Sequence, residues 1–237
     1  SSAIAPGLAT RTASDSRIVA IGRRSLRISE EPVEVKELFD YVTDIGFEVV
    51  CAGKGKNNPL RPHDTPDSVA DEAAAKHMNP KMLASFVDGS KTMIECASMA
   101  NATGLELSRR GMYGPDTTVP ELANVFRPAA DGGVLDRPGV VDYATGPVAP
   151  GVFIVGRTDH PTVIEEMAYL SMGPGPYYAF YRPYHLASLE APLTVARAAL
   201  DRVSTLEPVA WKAEVVATAK RELRPGDQID GIGGATV

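Results

Sequence analysis

A short segment rich in glycine, lysine and asparagine carries the sharpest chemical signal of the sequence. The letters GKGKNNP occupy residues 53–59 and place Lys54, Lys56 and Asn57 close together. Glycines let a backbone approach a ligand closely, and ammonium and amide groups supply many hydrogen-bond donors. The pattern favours an anion-binding loop, and the alternative is a solvated basic turn. It matches neither a phosphate loop ending in Gly-Lys-Ser/Thr nor the Gly-x-Gly-x-x-Gly dinucleotide motif.

A second set of charges follows one predicted helix. Lys81, Asp88 and Glu95 recur every seven residues, and Lys91 lies three beyond Asp88, so that one stripe of the helix carries all four. The alternative is an ordinary solvated face with ion pairs. Asn79 is expected to cap this helix, where the positive end of the helix dipole favours an anionic group.

The same stripe raises the question of a divalent metal. Asp88 and Glu95 could share Mg²⁺ or Mn²⁺, because both ions prefer oxygen ligands. Lys91 between them could neutralise the two carboxylates instead. The sequence leaves both alternatives open.

A tyrosine-rich segment near the end of the predicted core, which we expect to be a loop, contains Arg182, Tyr184 and His185. A guanidinium grips carboxylate or phosphate in a bidentate way, and an imidazole exchanges protons near neutral pH. The alternative is a packing or dimer surface. His160, after a predicted strand, is a further candidate whose alternative is a helix cap.

Other classes of chemistry find little support. No Gly-x-Ser-x-Gly elbow occurs, and the two cysteines, Cys51 and Cys96, stand in apolar contexts that favour reduced core thiols. The net charge of -6, without a basic stripe, argues against nucleic acid as a partner. No apolar run is long enough to span a bilayer and no signal peptide is recognisable, so we expect a cytoplasmic protein with no membrane partner.

The elements that must position these residues predict an α/β (α+β) fold. Pro32 opens a helix that Gly46 ends, and residues 47–52 form a buried strand that delivers the lysine-containing segment. One long helix is expected from Pro80 to about Thr103, and another buried strand at residues 151–155. We expect a flexible lead-in at 1–16, an α/β domain with a central sheet at 17–205, and a β-rich module from 206 to 237.

Five long strings resemble one bacterial family of oxidoreductases: AGKGKNNPL (52–60), MNPKMLASFVDGSKTMIECASMANATGL (78–105), VAPGVFIVGRTDHP (148–161), MGPGPYYAFYRPYHLASLEAP (172–192) and AKRELRPGDQIDGIGGATV (219–237). The family comprises homoserine-dehydrogenase-like proteins with a SAF domain. It includes enzymes similar to 1-deoxy-D-xylulose 5-phosphate reductoisomerase, which make 2-C-methyl-D-erythritol 4-phosphate for isoprenoid biosynthesis.

The resemblance implies an NADP(H)-dependent enzyme with a Rossmann domain, a catalytic and dimerisation domain, and a SAF-like module. The Rossmann domain is not within these residues, apart from a last strand at Ile18 to Ile21, and the SAF-like module breaks off after Val237. The resemblance also implies a homodimer with a small anionic sugar-phosphate or sugar-acid substrate. The pocket residues it implies are Lys54, Lys56, Asn57, Lys81, Asp88, Lys91, Arg182, Tyr184 and His185.

Within that pocket we assign Lys54 or Lys91 to polarise a carbonyl oxygen, Asp88 or His185 to move a proton, and Arg182 to hold a phosphate. Lys56, Asn57, Asn79, Lys81 and Tyr184 are assigned to substrate binding. The alternative function is a non-redox isomerase or lyase for a sugar acid or sugar phosphate, or a binding subunit.

Overall fold

The computed structural model describes residues 18–21, 24–27 and 31–237. The chain divides into two compact units, one of residues 1–57 and 96–214 and one of residues 58–95 and 215–237. The lead-in expected at residues 1–16 lies outside the described residues. The division at residues 205 and 206 stays a prediction.

Seven strands of the described part of the chain belong to the first unit. Strands β1 (Ile18–Ile21) and β2 (Arg24–Arg27) pair antiparallel as a separate two-stranded sheet. The other five are β3 (Glu48–Gly55), β4 (Glu106–Leu107), β5 (Val140–Ala144), β6 (Val152–Arg157) and β7 (Tyr177–Arg182). They form a mixed sheet in the order β4-β5-β3-β6-β7, parallel from β4 to β3 and antiparallel from β3 to β7. The predicted α/β fold is confirmed.

Strand β3 takes the central position because its apolar side chains can be buried on both faces of the sheet. Val50, Cys51 and Ala52 are fully buried. The core beside them includes Phe126 and Phe153, whose ring centroids lie 4.8 Å apart. Both cysteines are buried and neither is in a disulfide, as predicted, and burial raises the pKa of the Cys51 thiol.

Helix α1 (Glu31–Asp44) covers strands β3, β6 and β7. Its buried valines, Val33, Val35 and Val42, form the apolar side that packs on the sheet. The predicted start at Pro32 and end before Gly46 are confirmed within two residues.

The remaining helices are short, with one exception. They are α2 (Ala70–Ala75), α3 (Pro80–Val87), α4 (Ser90–Thr103), α5 (Leu122–Val125) after a 3₁₀ turn at Val119–Glu121, α6 (Pro161–Tyr169) and α7 (Ala187–Ala196), which continues as a π-helical turn at Arg197–Asp201. No described helix is long and apolar enough to cross a membrane.

The second unit has its own small core and a polar clasp. Val69, Ala73, Leu83, Ala84 and Val87 are buried together between α2 and α3. Within the same unit, Lys220 Nζ lies 2.8 Å from the Asp88 carboxylate and donates to Gly234 O, also at 2.8 Å. The clasp holds residues 215–237 against the end of α3.

The single long helix predicted from Pro80 to Thr103 is wrong. It breaks between α3 and α4, because Gly89 adopts φ +92°, a left-handed conformation that stops helical hydrogen bonding. The Asp88 carboxylate accepts a hydrogen bond from Ser90 N at 2.7 Å and so starts the second helix. Helical periodicity across residues 80–103 could not reveal this break.

Three other expectations are corrected. Strand β3 continues to Gly55, so Lys54 lies in a strand rather than a loop. The tyrosine-rich segment forms strand β7, because it pairs with β6 along its whole length. Residues 206–237, all described, contain no strand, and their turns are closed by side chains such as Asp230, which accepts from Ala235 N and Thr236 N.

Candidate active site

Three residues stand in one row across the sheet. Lys54 on β3 lies opposite Val152 on β6, which in turn lies opposite Arg182 on β7. Residues directly opposite one another on neighbouring strands point to the same face of a sheet. Lys54 and Arg182 therefore rise from one face, about 10 Å apart at two strand spacings.

Helix α1 brings three glutamates to this row at intervals of three residues. Glu31, Glu34 and Glu37 share one side of the helix because residues three apart are neighbours on a helix surface. Glu31 meets Lys54 at the start of the helix, and Glu37 meets Arg182 almost two turns later. The position of α1 along the sheet thus places Glu31 next to Lys54 and Glu37 next to Arg182.

The pair of Lys54 and Glu31 is buried. Nζ of Lys54 lies 2.7 Å from Oε1 of Glu31, and the two residues are only 4% and 5% exposed. Two charges removed from water persist only when each offsets the other's loss of hydration. An ammonium held in this way is a strong hydrogen-bond donor in a setting of low dielectric.

His185 adjoins the same carboxylate. Its Nδ1 lies 2.8 Å from Pro150 O and its Nε2 lies 3.4 Å from Oε1 of Glu31. A carbonyl oxygen only accepts hydrogen bonds, so Nδ1 carries a hydrogen. Nε2 is consequently the atom at which a proton enters and leaves, and it faces Glu31 in either state.

The group formed by Glu31, Lys54 and His185 can carry out general acid–base chemistry. An ammonium polarises or protonates a developing oxyanion, and an imidazole next to a carboxylate takes up and returns a proton. These three side chains come from α1, β3 and the residues after β7. We use the name acid–base trio for Glu31, Lys54 and His185.

Arg182 is engaged by carboxylates on two helices. Its Nη1 lies 3.2 Å from Glu37 on α1 and its Nη2 lies 2.8 Å from Glu190 on α7. Arg197 also pairs with Glu37, at 3.0 Å. The guanidinium lies over the ring of Tyr184, 5.5 Å from its centroid, which orients that half-exposed tyrosine. The predicted grip of Arg182 on a phosphate stays a prediction.

Glu34 lies between the acid–base trio and the Arg182 pairs along α1. It is completely buried, and apart from a contact with its own backbone amide neither oxygen accepts a hydrogen bond from the described residues. The carboxyl of Glu190 is its neighbour. Burial raises the pKa of Glu34 to about 9, with the hydrogen bond to Glu190 adding to the rise and Arg182 opposing it.

The glycines beside Lys54 serve the packing of the strand. A Cβ at Gly53 would lie 2.5 Å from the ring of Phe153, and a Cβ at Gly55 would lie 2.2 Å from Ala149 N. Gly55 N donates to Gly151 O at 2.8 Å. The space beside these two glycines is therefore filled by the protein's own residues, and the anion-binding role of the segment stays a prediction.

The other predicted site residues of the first unit differ in how exposed they are to solvent. Lys56 is buried, its backbone amide bonded to Ala144 O, whereas Asn57 is exposed. His160 precedes α6 without capping it through its side chain. Of the predicted pocket residues, Lys54 and His185 come into one contact group, through Glu31.

Asn79, Lys81, Asp88 and Lys91 belong to the second unit. Asn79 caps α3 as predicted, accepting from Lys81 N and Met82 N. Lys81 Nζ donates to Asp230 O at 3.1 Å, and Asp88 pairs with Lys220. Their catalytic and substrate-binding roles stay predictions.

Asp88 and Glu95 do not match a metal site as they stand. Each carboxylate has a lysine partner, Lys220 at 2.8 Å from Asp88 and Lys91 at 3.2 Å from Glu95. Within the described part of the chain no three His, Cys, Asp or Glu side chains are grouped to hold a metal ion.

Sequence reasoning missed the acidic half of the site. Glu31, Glu34 and Glu37 repeat every three residues on a predicted helix, and Glu190 stands on the helix after His185. Such spacing is also typical of a solvated helix face. The sequence did carry one signal of buried carboxylates. Glu31 and Glu34 lie on either side of Val33 and before Val35, so acidic residues fall among the apolar residues of α1.

The chain was compared with known proteins. The family described as "Oxidoreductase DRL, catalytic domain" matches residues 30–191, more than half of the chain. No curated protein matches the chain. The matched range contains the acid–base trio, Glu34, Glu37, Arg182 and Glu190, and it leaves out Arg197. The chain therefore belongs to the oxidoreductase DRL catalytic-domain family.

Proposed function

We propose that this chain is the substrate-converting part of an NAD(P)H-dependent reductoisomerase that acts on a small anionic sugar phosphate. One observation carries the proposal: the buried ammonium of Lys54 is held by Glu31, whose same oxygen faces Nε2 of His185. Membership of an oxidoreductase family supports the redox class. The resemblance of the long sequence strings favours 1-deoxy-D-xylulose 5-phosphate as substrate.

The acid–base trio suits the proton transfers of such a reaction. Reductive isomerisation moves a carbonyl along the sugar and then reduces it, so a hydroxyl must lose a proton and an oxygen must gain one. We assign Lys54 to the substrate oxygen that becomes negative and His185 Nε2 to the hydroxyl proton. Glu31 is assigned to orient both and to stabilise the imidazolium.

The hydride would come from NADPH, which supplies the reducing equivalents when bound. The glycine-containing segment at residues 53–55 does not fit a dinucleotide: its glycines are packed against Phe153 and Ala149, and the sequence has no Gly-x-Gly-x-x-Gly motif. We therefore assign no residue of this chain to the nucleotide. We likewise assign no step to a divalent metal.

A second candidate is an isomerase that uses no nucleotide. It is favoured by the trio, whose proton-transfer groups are complete without a cofactor. A cytoplasmic homodimer remains our expectation for either function.

The direct test incubates the full-length protein with NADPH and 1-deoxy-D-xylulose 5-phosphate. Consumption of NADPH is followed by its absorbance and the product by mass spectrometry. We expect His185→Gln to lower kcat at least about 100-fold, the scale of general acid–base catalysis. The control His63→Gln, which changes an exposed histidine outside the trio, should leave kcat unchanged.

Two outcomes separate the candidates. Oxidation of NADPH with formation of the branched polyol phosphate supports the reductoisomerase. Incorporation of solvent deuterium into the sugar without any nucleotide, and without NADPH consumption when it is added, supports the isomerase and rejects the redox proposal.

A further inference from the structure

A buried carboxyl with no basic partner is unusual and requires an explanation. Glu34 is fully buried on the sheet-facing side of α1, and among the described residues its oxygens accept no hydrogen bond beyond a contact with its own backbone amide. A carboxylate in such a place would lose its hydration without compensation. A neutral carboxyl loses far less and can donate one hydrogen bond.

The charges around Glu34 already balance without it. Arg182 contacts Glu37 and Glu190, and Arg197 contacts Glu37. Two guanidinium groups therefore face two carboxylates. A third negative charge beside Glu190 would repel it and compete for Arg182.

Glu190 is the acceptor that a neutral Glu34 can reach. The two carboxyls are neighbours, and a hydrogen bond between them forms only when one of them holds a proton. Two adjacent carboxyls share a proton because both cannot ionise at close range. The raised pKa of Glu34, about 9, agrees with a proton retained at neutral pH.

We propose that Glu34 is a positioning residue that keeps a proton at neutral pH, uses it to donate a hydrogen bond to Glu190, and so holds Arg182 and the segment leading to His185 in place. The segment is short and fixed at both ends. Arg182 is tied to Glu37 and Glu190, and three residues later His185 is tied to Pro150 O. Displacing Glu190 would remove one of the two carboxylates that hold Arg182.

Other charged groups near α1 do not provide this proton. Glu31 on the same helix is paired with Lys54 of β3 and faces His185. Glu37 is paired with Arg182 of β7 and with Arg197 beyond α7. Among the described residues, Glu190 on α7 is the carboxyl that both neighbours Glu34 and binds Arg182.

The first experiment detects the proton itself. Infrared spectra of the full-length protein carrying ¹³C-labelled glutamate are recorded at neutral pH. We expect a carbonyl band of a protonated glutamic acid, lost at alkaline pH and absent in Glu34→Gln. The control Asp44→Asn, an exposed carboxyl at the end of the same helix, should keep the band. Absence of the band in the unchanged protein, or its persistence in Glu34→Gln, overturns the proposal.

The second experiment measures positioning. NMR signals of His185, identified among the four histidines by His185→Gln, are followed through pH. We expect an alkaline inflection in the unchanged protein, as the carboxyl pair loses its proton. Glu34→Gln should keep the neutral-pH chemical shift of His185, because an amide also donates to Glu190, but lose the inflection. Glu34→Met has no donor and should move the neutral-pH shift.

Neither experiment uses a substrate, so both remain decisive if the proposed reaction is rejected. An inflection unchanged in Glu34→Gln, or identical His185 shifts in Glu34→Gln and Glu34→Met, rejects the positioning role.

Discussion

The ammonium of Lys54 and the carboxylate of Glu31 form a buried ion pair across 2.7 Å, with Nε2 of His185 3.4 Å from the same carboxylate oxygen. The pair ties the first turn of α1 to the end of β3. It therefore has a structural role as well as the chemical role proposed for it, and the two can be separated by mutation.

Lys54→Met should destabilise the protein by about 3–5 kcal/mol, because it leaves the Glu31 carboxylate buried without its cation. Urea unfolding measures this loss. The double variant Glu31→Leu/Lys54→Met removes both charges and should recover most of the stability while remaining inactive.

The matched control is Lys36→Met, which breaks a pair with the half-exposed Asp40 on the outer side of α1. Surface pairs contribute at most about 1 kcal/mol. Equal losses for Lys54→Met and Lys36→Met would show that the buried pair does not stabilise the fold.

Glu34 should make stability fall as pH rises. Its pKa is raised from 4.5 to about 9 in the folded protein, so the folded state holds a proton that the unfolded chain has released. The contribution is fully present below pH 4.5 and is lost progressively up to about pH 9. In urea unfolding across this range, the free energy of unfolding of Glu34→Gln should rise relative to that of the unchanged protein. The rise should be at most about 1.4 kcal/mol per pH unit. Parallel curves for the two proteins would contradict the retained proton.

The side chain of Asn101 should hold the segment at residues 209–213 in place through hydrogen bonds. Its Oδ1 accepts from Lys212 N at 2.7 Å and Ala213 N at 3.0 Å, and its Nδ2 donates to Ala213 O. Asn101→Ala leaves these backbone groups without their partner, a cost of about 1–3 kcal/mol. Hydrogen exchange of Lys212 and Ala213 should accelerate. The surface variant Asn124→Ala should change stability by less than about 0.5 kcal/mol, and equal exchange in both variants would refute the assignment.

Asp230 should stabilise the second unit down to strongly acidic pH. Hydrogen bonds from Thr236 and from backbone amides lower its pKa from 3.8 to about 2. A lowered pKa means that the contribution is present above pH 3.8 and disappears as pH falls through about 2. The thermal stabilities of the unchanged protein and Asp230→Asn, compared by calorimetry, should differ at neutral pH and converge towards pH 2. A difference that does not depend on pH would argue against the titration.

Short sequence patterns predicted the helices and strands that depend mainly on neighbouring residues. Pro32 and the valines of α1 indicated a helix that the structure places at Glu31–Asp44. The apolar run before Lys54 indicated a buried strand. The break at Gly89 was missed because periodicity reports an average over many residues, whereas one backbone conformation ends a helix. Strand β7 was missed because strand formation there depends on pairing with β6.

The sequence by itself determined that Lys54 and His185 are chemically capable residues and that the chain forms an α/β fold. Only the tertiary structure decided which groups meet them. The strand order places β3, β6 and β7 side by side, so that Lys54 and Arg182 share one row, and α1 crosses that row with Glu31, Glu34 and Glu37. Contacts between residues so distant along the chain arise from sheet order and helix register, which are set by burial of the whole core and leave no local pattern to read.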